Sequence, residues 1–210
     1  MKKITLYLAG TILIFLCSSC QKEHTAPINQ LVKDLFCFKT GSEWIYYDSL
    51  RHTTHKMVVT NYEKTRCGEK PIGIVKKTYN FVECITINYV VDSTRKGETM
   101  LGAYKDQDNT AGGYVFIPAE TEEFSIRCDK NNNFTPSATR LNTYTVNEIE
   151  YKDIYVFNIS KKIHIGNITY TDEHTYYVAK HTGFIRCVRK CEYAEHDSYD
   201  WVLINKNVIQ

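Results

Sequence analysis

Three observations predict an all-β fold. The chain carries 16 Tyr, 9 Phe and 2 Trp with abundant Thr, Val and Ile, residues that suit a pleated, half-buried surface better than a helix. From Tyr79 to Val91 the apolar residues Tyr79, Phe81, Ile85, Ile87, Tyr89 and Val91 share one phase, and Asn80, Thr86, Asn88 and Asp92 the other. That period of two gives a strand one buried and one solvated face. Runs of this kind recur between Gly- and Asn-containing turn signals, and no long stretch keeps a helical period. The expectation is one domain of mostly antiparallel strands, built as a meander, a curved sheet or a barrel-like sandwich.

In chain order, residues 20–34 are polar and form a tether. Within and just beyond it, Leu31, Val32, Leu35 and Phe36 are spaced for one helical turn docked on the domain, which is expected over residues 35–210. Gly41 introduces a strand from Glu43 to Leu50, and His55 to Arg66 alternates well enough for the next. Gly68, Pro71 and Gly73 mark a turn before the strand ending at Val91. Glu98 to Tyr104, Tyr114 to Ile117 and Phe124 to Cys128 are shorter candidates, and Asp129 to Asn133 is a polar turn. Thr143 to Glu150 and Asp153 to Ser160 follow; Ile154-Tyr155-Val156-Phe157 is apolar on both sides and predicts a central strand. Ile168 to Ala179, Phe184 to Tyr193 and Trp201 to Ile204 complete the series, with Gly183 turning between the first two.

The first residues supply an address. Lys2 and Lys3 precede an apolar run from Ile4 to Leu16, too short to span a bilayer, and small residues follow before Cys20. Leu16-Cys17-Ser18-Ser19-Cys20 resembles the bacterial lipobox, although Cys17 stands where an aliphatic residue is usual. The resemblance implies that residues 1–19 are a lipoprotein signal peptide and that Cys20 receives the lipid, diacylglycerol with a further acyl chain such as palmitate. Loss of the signal leaves 191 of 210 residues and lowers the 26 basic side chains to 24, equal to the 24 acidic ones. A formal charge near zero gives no electrostatic case for nucleic acid as a partner.

In an exported chain the six remaining cysteines, Cys37, Cys67, Cys84, Cys128, Cys187 and Cys191, predict up to three disulfides among fifteen possible pairings. Cys187 and Cys191 are excluded as partners if they share a strand, because four residues of strand separate them by about 13 Å.

The opening Gly41-x-x-Trp44-x-Tyr46, the late Tyr176-Tyr177-Val178-Ala179 with Gly183-Phe184-Ile185, and the closing Trp201-Val202-Leu203-Ile204 together resemble the small cell-envelope lipoproteins of the Bacteroidota. That resemblance implies an all-β domain anchored through lipid to the envelope, at either face of the outer membrane, and transfers no activity. Asp48-Ser49-Leu50 and Asp92-Ser93-Thr94 also resemble the O-glycosylation signal of such bacteria, which makes Ser49 and Ser93 candidate acceptors.

Motifs of catalysis are sparse. P-loop, dinucleotide, nucleophile-elbow and zincin signatures are missing from the sequence, and no catalytic residue, metal site or cofactor is predicted. Asp172-Glu173-His174 holds residue types suited to acid–base work. Asp129, Asn131 and Asn133 imitate the start of a calcium loop, but Phe134 and Arg140 occupy its sixth and twelfth positions; Asp106 and Asp108 fail likewise. Trp44, Tyr47, Tyr177 and Trp201 offer a candidate aromatic surface for a glycan or protein.

The leading expectation is therefore a non-catalytic binding or scaffolding protein of the envelope. A carrier would instead enclose a lipid or small hydrophobe in a curved sheet, and would need apolar space beyond what packing fills. An envelope hydrolase would need a cleft with a perturbed histidine or carboxylate.

Overall fold

The computed structural model describes residues 25–68, 81–104, 110–120 and 123–210. Cys20 and the expected signal lie outside them, as do Asp106 and Asp108. The described chain is one sheet of thirteen strands with a single α-helix. Strand β1 (Thr25–Ala26) precedes α1 (Gln30–Phe36), β2 (Glu43–Asp48), β3 (Thr53–Gly68), β4 (Phe81–Val91), β5 (Arg95–Ala103) and β6 (Ala111–Phe116). Then come β7 (Glu123–Cys128), β8 (Phe134–Thr135), β9 (Ala138–Val146), β10 (Ile149–Ile165), β11 (Ile168–Ala179), β12 (Gly183–Cys191) and β13 (Tyr199–Asn207).

The strands run in space as β8-β7-β6-β5-β4-β3-β2-β13-β12-β11-β10-β9, and β1 adds in parallel to β4. From β2 to β13, neighbours in sequence are thus neighbours in the sheet, with two departures from a simple open meander. β2 pairs with β13, which joins the two ends of the meander, and the consecutive strands β8 and β9 do not pair. The result is an antiparallel sheet nearly closed into a barrel.

Side chains cover the gap that the ladder leaves. Phe134 of β8 meets Tyr155 and Phe157 of β10 at ring distances of 5.6 and 5.2 Å, and Phe124 of β7 meets Phe157 at 5.2 Å and Tyr176 of β11 at 5.6 Å. Aromatic contacts at this spacing combine area burial with edge-to-face attraction. They also explain why Ile154 to Phe157 is buried throughout although β10 lies one strand in from the β9 edge, not at the centre of the sheet as expected.

The strict alternation of β4 places Glu83, Ile85, Ile87, Tyr89 and Val91 inward. Inside the curve sits α1. Asn29 caps it by accepting from the Leu31 N–H at 2.8 Å, and Leu31, Val32, Leu35 and Phe36 are all buried. Each such side chain contributes roughly 1.5–3 kcal/mol by leaving water, which fixes a helix of 7 residues too short to persist alone. Glu83 ties the same segment to the sheet: it accepts from the Ile28 N–H at 2.7 Å and pairs with Lys33 at 2.6 Å and Lys64 at 2.5 Å. Among the described residues, secondary structure is already present at Thr25, ten residues before the expected boundary at Leu35. What looked like tether is held because its few apolar residues, Ile28, Leu31 and Val32, enter the core.

The barrel has two distinct ends. One carries β1, α1, the turn of residues 180–182 and the last residues, tied together by His181 N–H to Asp34 C=O at 2.7 Å and Lys39 N–H to Ile209 C=O at 2.9 Å. The other carries residues 49–52, 92–94 and 117–120 and the connection between β12 and β13.

Candidate functional site

At this second end, the inward positions of β11 are Asp172, His174 and Tyr176, all buried. Register places Arg189 of β12 opposite His174, and Tyr199 of β13 opposite Arg189. Glu120 arrives from the connection after β6. Its Oε1 accepts from His174 Nδ1 at 2.7 Å, from the Tyr176 hydroxyl at 2.7 Å and from the Tyr199 hydroxyl. A carboxylate only accepts, so Nδ1 of His174 carries a proton.

Asp172 is fixed from the side by a two-toothed pairing: Arg189 Nε and Nη2 each donate at 2.9 Å. The other ring nitrogen of His174, Nε2, lies 3.2 Å from Asp172 Oδ2. That contact sets the ring between two carboxylates, Glu120 on one side and Asp172 on the other.

Burial pushes the Glu120 carboxyl up, but the bonds from His174, Tyr199 and Tyr176 outweigh it and hold the group below its ordinary range. Asp172 follows the same logic, with burial opposed and outweighed by Arg189 and His174. Burial, followed by the Glu120 charge, drives both Tyr176 and Tyr199 well above the usual phenol range, so each stays a donor.

Glu120, Asp172, His174, Arg189 and Tyr199 floor a cleft of about 480 Å³, whose lining also includes Arg51, Lys161 and Asp197. Charges of both signs around a buried ring nitrogen suit a ligand that hydrogen-bonds. The same groups are poorly placed for acid–base or nucleophilic work. Glu120 already takes three donors on one oxygen, and Nε2 faces a carboxylate where a catalytic histidine would face a hydroxyl or thiol.

Apolar space is scarce by contrast. Between Leu35, Phe38, Trp44, Met57, Phe116 and Phe184 the interior leaves about 10 Å³, no more than one water needs.

The aromatic candidates divide. Trp44 and Trp201 are 0% and 2% exposed, and their ring N–H groups donate to the Thr182 carbonyl at 2.6 Å and to Asp48 Oδ2 at 3.2 Å. Both are core residues and offer no surface, because inward positions of β2 and β13 take the largest rings. Tyr47 and Tyr177 face outward, half-buried, in one cross-strand row with Val202 and Arg186. Tyr177 stacks on Tyr144 at 4.5 Å.

No disulfide joins Cys37, Cys67, Cys84, Cys128, Cys187 and Cys191 in this structure, where up to three were expected. Four of them are buried as small apolar side chains of the core. Burial pushes the Cys37 and Cys128 thiols up to about 12. Cys187 and Cys191 do share β12, the arrangement that excludes a bond between them.

Ser49 is half-buried after β2 and Ser93 is exposed between β4 and β5. The aspartates beside them serve the fold: Asp48 accepts from Leu50 N–H and Trp201 Nε1, and Asp92 accepts from Lys56 N–H and holds His55. Asp129 accepts from the N–H groups of Asn131 and Asn133 and closes a turn. Among the described residues, no group of three or more His, Cys, Asp or Glu is arranged to hold a metal ion.

Sequence reading noted Asp172 and His174 as acid–base residue types without assigning them a site, and it did not single out Glu120, Arg189 or Tyr199. Glu120 lies 54 residues from His174 in a loop segment, Pro118-Ala119-Glu120, with no motif around it. Arg189 and Tyr199 become legible once strands β11, β12 and β13 are paired in register.

No family model matches the chain, and no curated protein matches it. Among solved structures it is similar to a candidate lipoprotein from Parabacteroides distasonis, at 12% identity over 82% of this chain and 99% of that one, with a TM-score of 0.38. A likeness so distant transfers neither fold nor role.

Proposed function

We propose that this chain is a lipid-anchored protein of the bacterial cell envelope that binds a small polar ligand in the cleft around His174 and does not transform it. The anchor rests on Cys20 and the signal-like residues before it. Binding rests on one observation above all: the buried His174 ring, held between Glu120 and Asp172, lines a cleft that also presents Arg51, Lys161 and Asp197. Charged side chains of both signs converging on one cleft can hydrogen-bond a polar ligand from several sides.

The filled apolar interior argues against a lipid carrier. The saturated Glu120 and the locked Asp172 argue against a hydrolase, since neither is free to exchange a proton near neutral pH. Ser93, exposed on a turn, is the more reachable of the two candidate glycosylation sites.

The test is native mass spectrometry of the detergent-extracted lipoprotein from its own envelope. A polar small-molecule mass that disappears on denaturation, and that His174→Ala no longer retains, is the expected result. A lipid-sized passenger independent of His174 would restore the carrier reading. Metabolic labelling with a palmitate analogue, present in the wild type and absent from Cys20→Ala, tests the anchor separately.

A further inference from the structure

We propose that Cys67 and Cys84 form a dithiol site on the outer face of the barrel, which an external disulfide closes into a Cys67–Cys84 bond. The inference is independent of the ligand in the cleft, and it selects one of the fifteen pairings that the sequence leaves open.

Register brings the two residues together. Thr65 of β3 stands opposite Cys84 of β4, and Cys67 stands opposite Val82, so the cysteines are diagonal neighbours. Glu83 and Ile85 are buried, which turns Cys84 between them to the outer face; Cys67, two residues from Thr65, shares that face. Diagonal positions lie about 7–8 Å apart at Cα and closer at Cβ. The Cys67 side chain leans across part of that distance: its Sγ lies 3.8 Å from Oγ1 of Thr65, the residue that faces Cys84. Burial, and after it the neighbouring Cys67, pushes the Cys84 thiol up to about 12, which places the two sulfurs within each other's influence.

A disulfide holds its Cα atoms about 4.4–6.8 Å apart, so closure draws the strands together by roughly 1 Å. That movement falls at the end of β3, where Gly68 follows Cys67 as the last residue of the strand, at a φ of 145° that glycine adopts without strain.

Access separates this pair from the other cysteines. Cys67 is exposed and Cys84 half-buried, and on the far side of Cys84 its partner on β5 is Gly102, which has no side chain to cover it. A soluble disulfide thus meets both thiols in the folded protein. Cys37, Cys128, Cys187 and Cys191 are buried and meet it only on unfolding.

The chemistry is thiol–disulfide exchange, with oxidised glutathione as the probe. Cys67 Sγ, deprotonated, attacks one glutathione sulfur; a mixed disulfide forms and one glutathione thiolate leaves. Cys84 Sγ then loses its proton and attacks Cys67 Sγ, and the second glutathione thiolate leaves. Two cysteine thiols are oxidised, one external disulfide is reduced to two thiols, and the two protons pass to the leaving thiolates. A thiol held as high as that of Cys84 attacks slowly, but its position beside the mixed disulfide makes the step intramolecular. The product ties β3 to β4 next to Glu83, the residue that fastens the helix segment to the sheet, so oxidation locks that joint.

The experiment reduces the detergent-extracted lipoprotein, exposes it folded to oxidised glutathione, and quenches with N-ethylmaleimide before intact-mass and peptide analysis. The wild type should lose about two hydrogens, keep no glutathione, take no maleimide at Cys67 or Cys84, and yield one cross-linked peptide pair that joins them. Cys84→Ser should stop at the mixed disulfide, with glutathione on Cys67 about tenfold above the wild-type level. Glutathione that persists on wild-type Cys67, maleimide on both residues after oxidation, or a bond between any other pair would overturn the site.

Discussion

Glu83 and Glu120 are buried carboxylates at opposite ends of one barrel, and both are held below the ordinary carboxylate range against the pull of burial. Their partners differ. Glu83 is met by two lysines whose side chains are 22% and 57% exposed; Glu120 is met by an imidazole and two phenols, each 2% exposed. The first arrangement is a clamp washed by solvent, which docks the helix and exchanges partners easily. The second is a buried assembly whose members are fixed by two strands, β11 and β13, and a loop, so that none turns freely away from the others. An acid held by lysine ammonium groups marks a joint; an acid held by buried rings marks a site.

The contrast is open to measurement. Glu120→Ala should cost roughly 3–5 kcal/mol in urea unfolding, because it strands His174 and two hydroxyls. A loss below about 1 kcal/mol would erase the distinction.

The pH dependence has a defined sign. Glu120 and Asp172 have folded pKa values below their ordinary 4.5 and 3.8, so the stability they contribute is complete above those values and fades as pH falls through the lower folded ones. Unfolding free energy should drop steeply below about pH 4.5, and Glu120→Gln should flatten the drop; an unchanged slope would remove Glu120 from the account.

Glu83→Gln should cost less, about 1–2 kcal/mol, and about 0.5 M salt should shrink the loss because exposed lysines are screened. The cost at Glu120 should stay constant in salt. Least of all should be the effect of thiol alkylation: Cys67, exposed, reacts in the native protein while its pair with Cys84 is open, without loss of fold, whereas Cys187 reacts only on unfolding. Three disulfides would block both reactions.

Much of this fold was legible as period. Ile168–Ala179 is a strand with the bounds that its pattern predicts, and the alternation of β4 survives intact because one face meets the core and the other meets water. Elements that depend on distant partners were not legible. β1 shows no pattern over two residues and exists because β4 offers it an edge. Residues of the tether looked polar, yet a few apolar side chains suffice to hold them once a concave sheet receives them. For the cysteines an even count in an exported chain suggests bonds, and it carries no information on burial: the fold places four of them in the core. At the candidate site, chemistry could be read where it was contiguous, in Asp172-Glu173-His174. Glu120 remained hidden, because a single glutamate in a loop becomes special only through what closes over it.

The unpaired seam between β8 and β9 gives the barrel a clasp. Everywhere else around the hoop, opening would break a backbone ladder; here it parts side chains, the rings of Phe124 and Phe134 from Tyr155, Phe157 and Tyr176 and Glu120 from His174 and Tyr176. Attraction between apolar rings weakens on cooling, and the hydrophobic part of such a closure fades with it. The hoop therefore springs first at one place, and chilling loosens it there before heat unravels it elsewhere.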